Sequence, residues 1–271
     1  LTFRYLFLIL GVSSLFGGII ALKVIPGDIK FDRSRFRGRL VEAGDMITER
    51  FRYLPIHLYY LLKPRKLISM SDRFGPNLTS FIVAVGIIFT GFSAFFIPLP
   101  AYFKTVIGLN NGTIYLFFIA NALSSALFYR RASRLIKNVG PLKVLRISLL
   151  MRIVLLPAII VPFVFIRSSV IKLVVVSAFF LLIGVSWALI NVSNLVIASR
   201  LSPGSLKGQV FGAYNGVIGL SAVVGSLIGG YVAKAGGYLT AFLLASLFVA
   251  LGLIIIRKRV SEAVTQQYSE G

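Results

Sequence analysis

Within long apolar stretches of this 271-residue chain, a few side chains with hydrogen-bonding capacity recur at helical spacing. Gly184, Trp187, Asn191 and Asn194 lie at offsets of 0, 3, 7 and 10, which is one face of a helix. Two amides and an indole N–H on one stripe either line a cavity and bind a solute or tie helices together. An interhelical bond of the second kind is worth about 0.6 kcal/mol on average. Asn121 and Ser125, one turn apart with Ser124 adjacent, offer the same two readings, as do Thr90 and Ser93 on a face shared with Gly86. Asn215, beside Tyr214, is the ligand candidate in a stretch rich in small residues. The candidate cavity set is therefore Thr90, Ser93, Asn121, Ser125, Trp187, Asn191, Asn194 and Asn215. Arg152 is the one cation inside an apolar stretch, about ten residues or roughly 15 Å from its start. It either snorkels to the nearer interface or stays inside as an anion contact or charge partner.

Other chemistry is excluded by what the chain lacks. It has no Cys and a single His, His57, which sits among Leu and Tyr with no partner cluster. No metal site is expected and no cofactor motif is present. The eight acidic residues fall at Asp28, Asp32, Glu42, Asp45, Glu49, Asp72, Glu262 and Glu270, so no carboxylate occurs from Arg73 to Ser261. A membrane enzyme needs His, Asp, Glu or an activated Ser near the bilayer, so no enzymatic activity is expected. Composition rules out a soluble domain as well. The chain is 57% hydrophobic and only 14% charged, yet its formal charge is +21. So much apolar surface has no place in water, and it fits a lipid-facing protein.

A bilayer core about 30 Å thick is crossed by roughly 20 apolar residues in a helix. Seven spans are expected, at about 5–25, 78–103, 112–133, 142–166, 171–199, 206–234 and 238–256. The first lacks the short apolar core and cleavage site of a signal peptide. Alternating loops then place 23 of the 29 Lys and Arg on one side and five on the other, with Arg152 inside. By the positive-inside rule the rich side is cytoplasmic, which puts the N-terminus out and the C-terminus in. The basic charge is thus a topology label, and no nucleic-acid partner is expected. Residues 26–77 form a basic cytoplasmic loop. Leu40, Ile47, Phe51, Leu54 and Leu58 recur there at helical spacing beside Arg50 and Arg52, which suits an interfacial helix or a plain linker.

The span 206–234 carries Gly208, Gly212, Asn215, Gly219, Ala222 and Ser226 as a stripe of small residues, extended by Gly225, Gly229 and Gly230. Small faces let a second backbone approach closely, and Gly208, Gly212, Gly219, Gly225 and Gly229 are expected to serve helix packing. Pro98 and Pro100 break the outer end of the second span. Polarity concentrates in spans two, three, five and six.

This distribution is similar to the major facilitator superfamily, whose twelve helices form two six-helix halves joined by a long cytoplasmic loop. Spans two to seven resemble helices seven to twelve, the first span resembles helix six, and residues 26–77 resemble the central loop. The stretch 208–230 (GQVFGAYNGVIGLSAVVGSLIGG) is similar to the family's helix eleven. The stretch from Phe128 to Arg146 corresponds to the family's Gly-x-x-x-Asp-Arg-x-Gly-Arg loop signature. Ala132, Ser133 and Arg134 stand at its Ala-Asp-Arg portion and Gly140 at its following Gly. The Asp is absent here, which removes the usual gating partner and leaves Arg134 as the gating candidate. The resemblance implies an all-α membrane protein in which residues 78–257 form a six-helix bundle of two three-helix inverted repeats, followed by a cytoplasmic tail over 258–271. It also implies a multi-pass protein of the plasma membrane that moves a small solute by alternating access, either by secondary active or by facilitative transport. Amides in an apolar cavity fit efflux of amphipathic compounds. Seven spans against twelve, and a start at Leu1, are expected of an incomplete transporter that pairs with a missing N-terminal half or a second copy. A non-transporting structural protein or gene remnant is the alternative. A seven-helix receptor fits less well, because the spans lack a mid-span Lys and an acidic counter-ion.

Overall fold

The computed structural model describes residues 74–202 and 206–260, all of them within the compact unit Leu67–Gly271. The expected first span, the basic loop up to residue 73 with His57, and the tail beyond residue 260 lie outside the described residues. All the elements within them are helical: α1 (Pro76–Phe96), α2 (Leu99–Thr105), α3 (Asn111–Val139), α4 (Pro141–Ala158), α5 (Val161–Phe165), α6 (Ser169–Leu201) and α7 (Lys207–Ile255), closed by a π-helical turn over Ile256–Val260. Five stretches are long and apolar enough to cross a membrane, the last of them 54 residues long. At 1.5 Å per residue that last stretch would reach about 80 Å, far beyond a bilayer core. It is broken at Gly237, whose φ of 84° leaves the helical region. Two arms, 207–236 and 238–255, result, close in extent to the last two spans expected from the sequence.

Local chemistry sets the ends. Gly75 and Gly140 take φ values of 78° and 92°, a conformation open to glycine at little cost, and each is followed by a proline at the first helical turn. Asn110 caps α3 by accepting from the Thr113 N–H at 2.8 Å, and Ser168 caps α6 by accepting from Ile171. The Pro98 break separates α1 from α2, and Pro157 and Pro162 flank the break between α4 and α5. One boundary differs clearly from expectation. The third span does not end near 133. It stays helical to Val139, so Arg130, Arg131, Arg134 and Lys137 ride on the last turns of α3, and the connection to α4 shrinks to Gly140 alone.

Contacts fix the direction of each segment. Gly86 faces Val217 and Ser221, Thr90 faces Gly225, and Ala94 faces Gly229, so α1 and the first arm of α7 run parallel. Phe95 meets Phe242 (ring centroids 4.8 Å apart), Gly91 faces Ala245, and Ile88 faces Gly252, so the second arm runs back antiparallel. On the other side of the bundle, Phe117 stacks on Phe180, Ser124 bonds Leu181, and Tyr129 meets Asn191, which makes α3 and α6 parallel. Val144 clusters with Ala188 and Leu189 while Arg152 reaches Ile183 and Ser186, so α4 opposes α6. Phe103 meets Phe180 while Phe89 and Phe92 meet Trp187, so α6 opposes the α1–α2 span. Successive segments therefore alternate in direction throughout.

Helix α1 is the central element, with 72% of its most apolar stretch buried, whereas α3 lies at the periphery with 17%. The two arms of α7 clasp α1 through close backbone approaches. A Cβ at Gly225 would collide with the Thr90 carbonyl, and one at Gly229 with the Ala94 carbonyl. Aromatic rings fill the end of the bundle near α2: Tyr102 lies 5.3 Å from Tyr238 and 5.7 Å from Phe242, and Phe103 lies 5.7 Å from Phe117 (centroid distances). Gly229→Val should cost about 1–3 kcal/mol through overpacking. Gly219→Val, at a position with no neighbour among the described residues, should fall within about 0.5 kcal/mol of the parent. Thermal unfolding of the purified chain in detergent checks both, and equal losses would contradict the seam described here.

Candidate functional site

Three polar clusters lie between the helices, and the stripe on α6 is divided among all of them. The deepest is built around Arg152. Its side chain is fully buried (0% exposed). The sequence leaves snorkelling to the interface open, but the guanidinium does not snorkel. It turns inward because partners wait on two neighbouring helices. Its Nε donates to Ser186 Oγ at 2.7 Å and its Nη2 to the Ile183 carbonyl at 2.7 Å. Ser186 Oγ itself donates to the same carbonyl at 2.9 Å. The guanidinium carbon lies 5.1 Å from the Phe92 ring centroid, 5.7 Å from Phe96 and 5.6 Å from Trp187. Cation–π attraction over such faces reaches about 2 kcal/mol when desolvated. No Asp or Glu occurs among the described residues, so rings, a hydroxyl and a carbonyl surround this cation in place of a carboxylate. Its Nη1 has no hydrogen-bond partner among them.

The second cluster joins α3 to α6. Gly184 sits directly beneath Asn121 and Ser124, where a Cβ would collide with the Asn121 carbonyl and the Ser124 hydroxyl. That approach lets the single Ser124 O–H be shared between the Leu181 carbonyl at 3.1 Å and the Asn121 carbonyl at 3.0 Å. Asn121 Oδ1 is buried without a hydrogen-bond partner. Ser125 is buried one residue on. Further along, Asn191 Nδ2 donates to the Tyr129 hydroxyl at 3.2 Å.

The third cluster lies between α6 and the first arm of α7. Asn194 is fully buried, and the Tyr214 hydroxyl lies beside its amide. Neither amide atom makes a hydrogen bond of ordinary geometry, and Ser193 Oγ next to it has none either.

Thr90 and Ser93 stand in the seam against Gly225, and the Thr90 hydroxyl is spent on its own helix, donating to the Gly86 carbonyl at 2.9 Å. The small residues of α7 divide into two rows. Gly225, Gly229 and Ser221 are buried on α1, and Tyr214 is buried beside Asn194 of α6. Asn215, Gly208, Gly212 and Gly219 are exposed, and the three glycines have no neighbour within 4 Å among the described residues. Of the five glycines expected to serve helix packing, Gly225 and Gly229 therefore meet a neighbouring helix among the described residues. Arg134 is exposed on α3. No group of three or more His, Cys, Asp or Glu able to hold a metal exists among the described residues.

Sequence reasoning did not pick out the aromatic surroundings of Arg152 or the role of Tyr129 and Ser186. The rings had a signal: Phe89, Phe92 and Phe96 recur at i, i+3 and i+7 on α1, one helical face. Tyr129 and Ser186 had none, because periodicity gives a residue's face and not the helix opposite it.

An all-helical array of apolar segments that alternate in direction, with hydrogen-bonding side chains held between them, has the architecture of a polytopic membrane protein. The chain matches the family model of the Major Facilitator Superfamily over residues 1–219 and again over 131–268, and it belongs to that family. Its function is accordingly membrane transport of small solutes. No curated protein matches the chain.

The Asn191–Tyr129 bond should be measurable. A double-mutant cycle with Asn191→Ala and Tyr129→Phe, read by thermal unfolding in detergent, should give a coupling of about 0.6 kcal/mol. Strict additivity would mean that the bond does not form in the membrane protein.

Proposed function

We propose that this chain carries a small amphipathic solute across the plasma membrane by alternating access, in the direction of efflux. The solute would sit against the polar groups between α3, α6 and the first arm of α7, and a second bundle would close the face that carries Asn215. The observation that carries this reading is the exposed row Gly208, Gly212, Asn215 and Gly219. In lipid a polar side chain is stable only where it meets protein or water. A smooth, small-residue face bearing one amide is suited to a sliding contact with another helix bundle. That second bundle would be a separate N-terminal half or a second copy of this chain, and together they would enclose the amides of Asn121, Asn191 and Asn194.

The amides, the Tyr214 and Tyr129 hydroxyls and the many aromatic rings favour a solute with a large apolar part and few hydrogen-bonding groups. Residues 74–261 contain no carboxylate. A proton-coupled step through a carboxylic acid would therefore draw on residues elsewhere, and facilitated diffusion needs none. Orientation follows from charge. Eleven Lys and Arg lie at the end of the bundle holding Gly140 and the α6–α7 connection, four lie at the opposite end, and Arg152 lies between. The positive-inside rule makes the first end cytoplasmic, which puts the C-terminus in and, with one more span ahead of the basic loop, the N-terminus out. Arg134 then stands at the cytoplasmic mouth as the gating candidate.

The chain has no native cysteine, so single-cysteine variants report without background. In sealed right-side-out vesicles, a membrane-impermeant maleimide should label Gly108→Cys and spare Ser133→Cys until the membrane is opened; the reverse pattern would invert the orientation. Asn215→Cys should be protected from the same reagent by an amphipathic fluorescent dye, and the dye should leave dye-loaded proteoliposomes faster than empty-liposome controls. Absence of any such flux, with the protein folded and correctly inserted, would remove the transport reading in favour of a structural role.

A further inference from the structure

We infer that Arg152 is the binding group for the carboxylate of an amphipathic organic anion, whose apolar part lies against Phe92, Phe96 and Trp187. This rests on the transport reading and adds to it the class of solute and a second contact, between α1, α4 and α6.

Arginine presents its donors as a planar fork matched to carboxylate oxygens. Two donor groups of Arg152 are already committed, Nε to Ser186 and Nη2 to Ile183, and these bonds fix the plane of the fork. The Nη1 amino group is left over, buried and without a partner. Ring faces attract the cation but supply no lone pair for this N–H. The counter-charge cannot come from the same bundle, because residues 74–261 contain no Asp or Glu. An unpaired buried cation is costly, and an anion that brings its own charge and lone pairs satisfies both needs at once. One guanidinium with one free amino group matches a monoanion, not a dianion such as phosphate.

The rings decide between a small inorganic anion and an organic one. Three aromatic side chains within 6 Å of the guanidinium carbon make an apolar wall, which suits a hydrocarbon tail more than a hydrated halide. Phe92 is almost fully buried, but Phe96 and Trp187 keep partial exposure. Those two are the members of the wall that a solute can reach from outside. Depth agrees as well. Arg152 lies eleven residues from Pro141 at the start of α4, about 16 Å along the helix, near the middle of a hydrocarbon core of about 30 Å.

Trp187 is the only tryptophan of the chain, so its emission reads this site directly. The full chain in lipid nanodiscs is titrated with sodium hexanoate at constant ionic strength, and in parallel with hexanol and with sodium chloride. Hexanoate should shift the emission saturably and hexanol should not. Arg152→Met should abolish the response, and Arg152→Lys, which keeps the charge and loses the fork, should weaken the apparent affinity at least tenfold. Folding of each variant is checked by thermal unfolding, and if Arg152→Met does not fold, Arg152→Lys and Phe92→Leu carry the test, both with weakened hexanoate binding expected. No saturable shift, an equal shift with hexanol, or a parent-like response in the folded variants would overturn the assignment. A saturable chloride response that hexanoate neither shares nor displaces would overturn it too. The readout needs no transport. Saturable hexanoate binding without any solute flux would leave the site standing and remove the transport reading, while flux of neutral dyes without a hexanoate response would remove the site alone.

Discussion

Helices already surrounded by hydrocarbon gain nothing from taking apolar side chains out of water, so association depends on how closely two backbones can approach. In this bundle the closest approaches converge on α1. Gly225 and Gly229 of the first arm of α7 press against the carbonyls of Thr90 and Ala94, and on the other side Gly91 and Gly252 do the same between α1 and the second arm. Dispersion falls steeply with a gap of even half an ångström, so these glycines are worth more than any side chain that would replace them. The hairpin at Gly237 is what brings both arms onto one helix. With α1 clasped in this way, its opposite face is free to offer Phe89, Phe92 and Phe96 to α4 and α6.

That face holds the least expected feature of the bundle. A guanidinium between Phe92, Phe96 and Trp187, bonded to Ser186 and to a main-chain carbonyl, is stabilised by induced and permanent dipoles and not by an ion pair. The carbonyl of Ile183 is available because Arg152 and Ser186 approach it from outside the ordinary i to i+4 ladder. The turn of α6 around Gly184 is thus bonded from two helices at once: Ser124 of α3 takes Leu181 O and Arg152 of α4 takes Ile183 O. Removing the cation would release one side of this turn and leave Ser186 as its only remaining side-chain donor to Ile183.

The spans were legible because hydropathy runs, prolines and glycines are local signals. Six predicted segments match the helices within a few residues except at Val139, where the helix runs past the expected end at 133 to take in Arg134 and Lys137, since Lys and Arg are good helix formers. The gap expected between the last two spans, from 234 to 238, contains Gly237, where the helix breaks. The polar residues were also found, since any amide in a twenty-residue apolar run stands out. Their partners were not. Trp187, Asn191 and Asn194 share a face of α6, yet they meet respectively the rings around Arg152, Tyr129 of α3 and Tyr214 of α7, because a 33-residue helix crosses several neighbours along its length. The glycine run over 208–230 was ambiguous for a related reason. Small residues at several helical phases make more than one stripe, and composition does not say which stripe is packed.

The division of α7 into a packed row and an open row bears on how such a bundle can move. A rocking motion needs a body that stays rigid and a surface that slides. On the alternating-access reading proposed above, the row Ser221, Gly225 and Gly229 would belong to the rigid part, because the backbone approaches at Gly225 and Gly229 have no slack to give up. The row Gly208, Gly212, Asn215 and Gly219 has the opposite properties: exposed, nearly featureless, and interrupted by a single amide that can exchange one hydrogen-bond partner for another. Asn194, with its amide unsatisfied between α6 and this arm, lies where the two regimes meet. An unsatisfied amide there raises the energy of the arrangement that leaves it unpaired, so anything that pairs it, a solute or a shifted Tyr214, biases the bundle toward a different packing. In a membrane core that bias has no water to dilute it, and a single buried Asn can therefore favour one arrangement of the bundle over another.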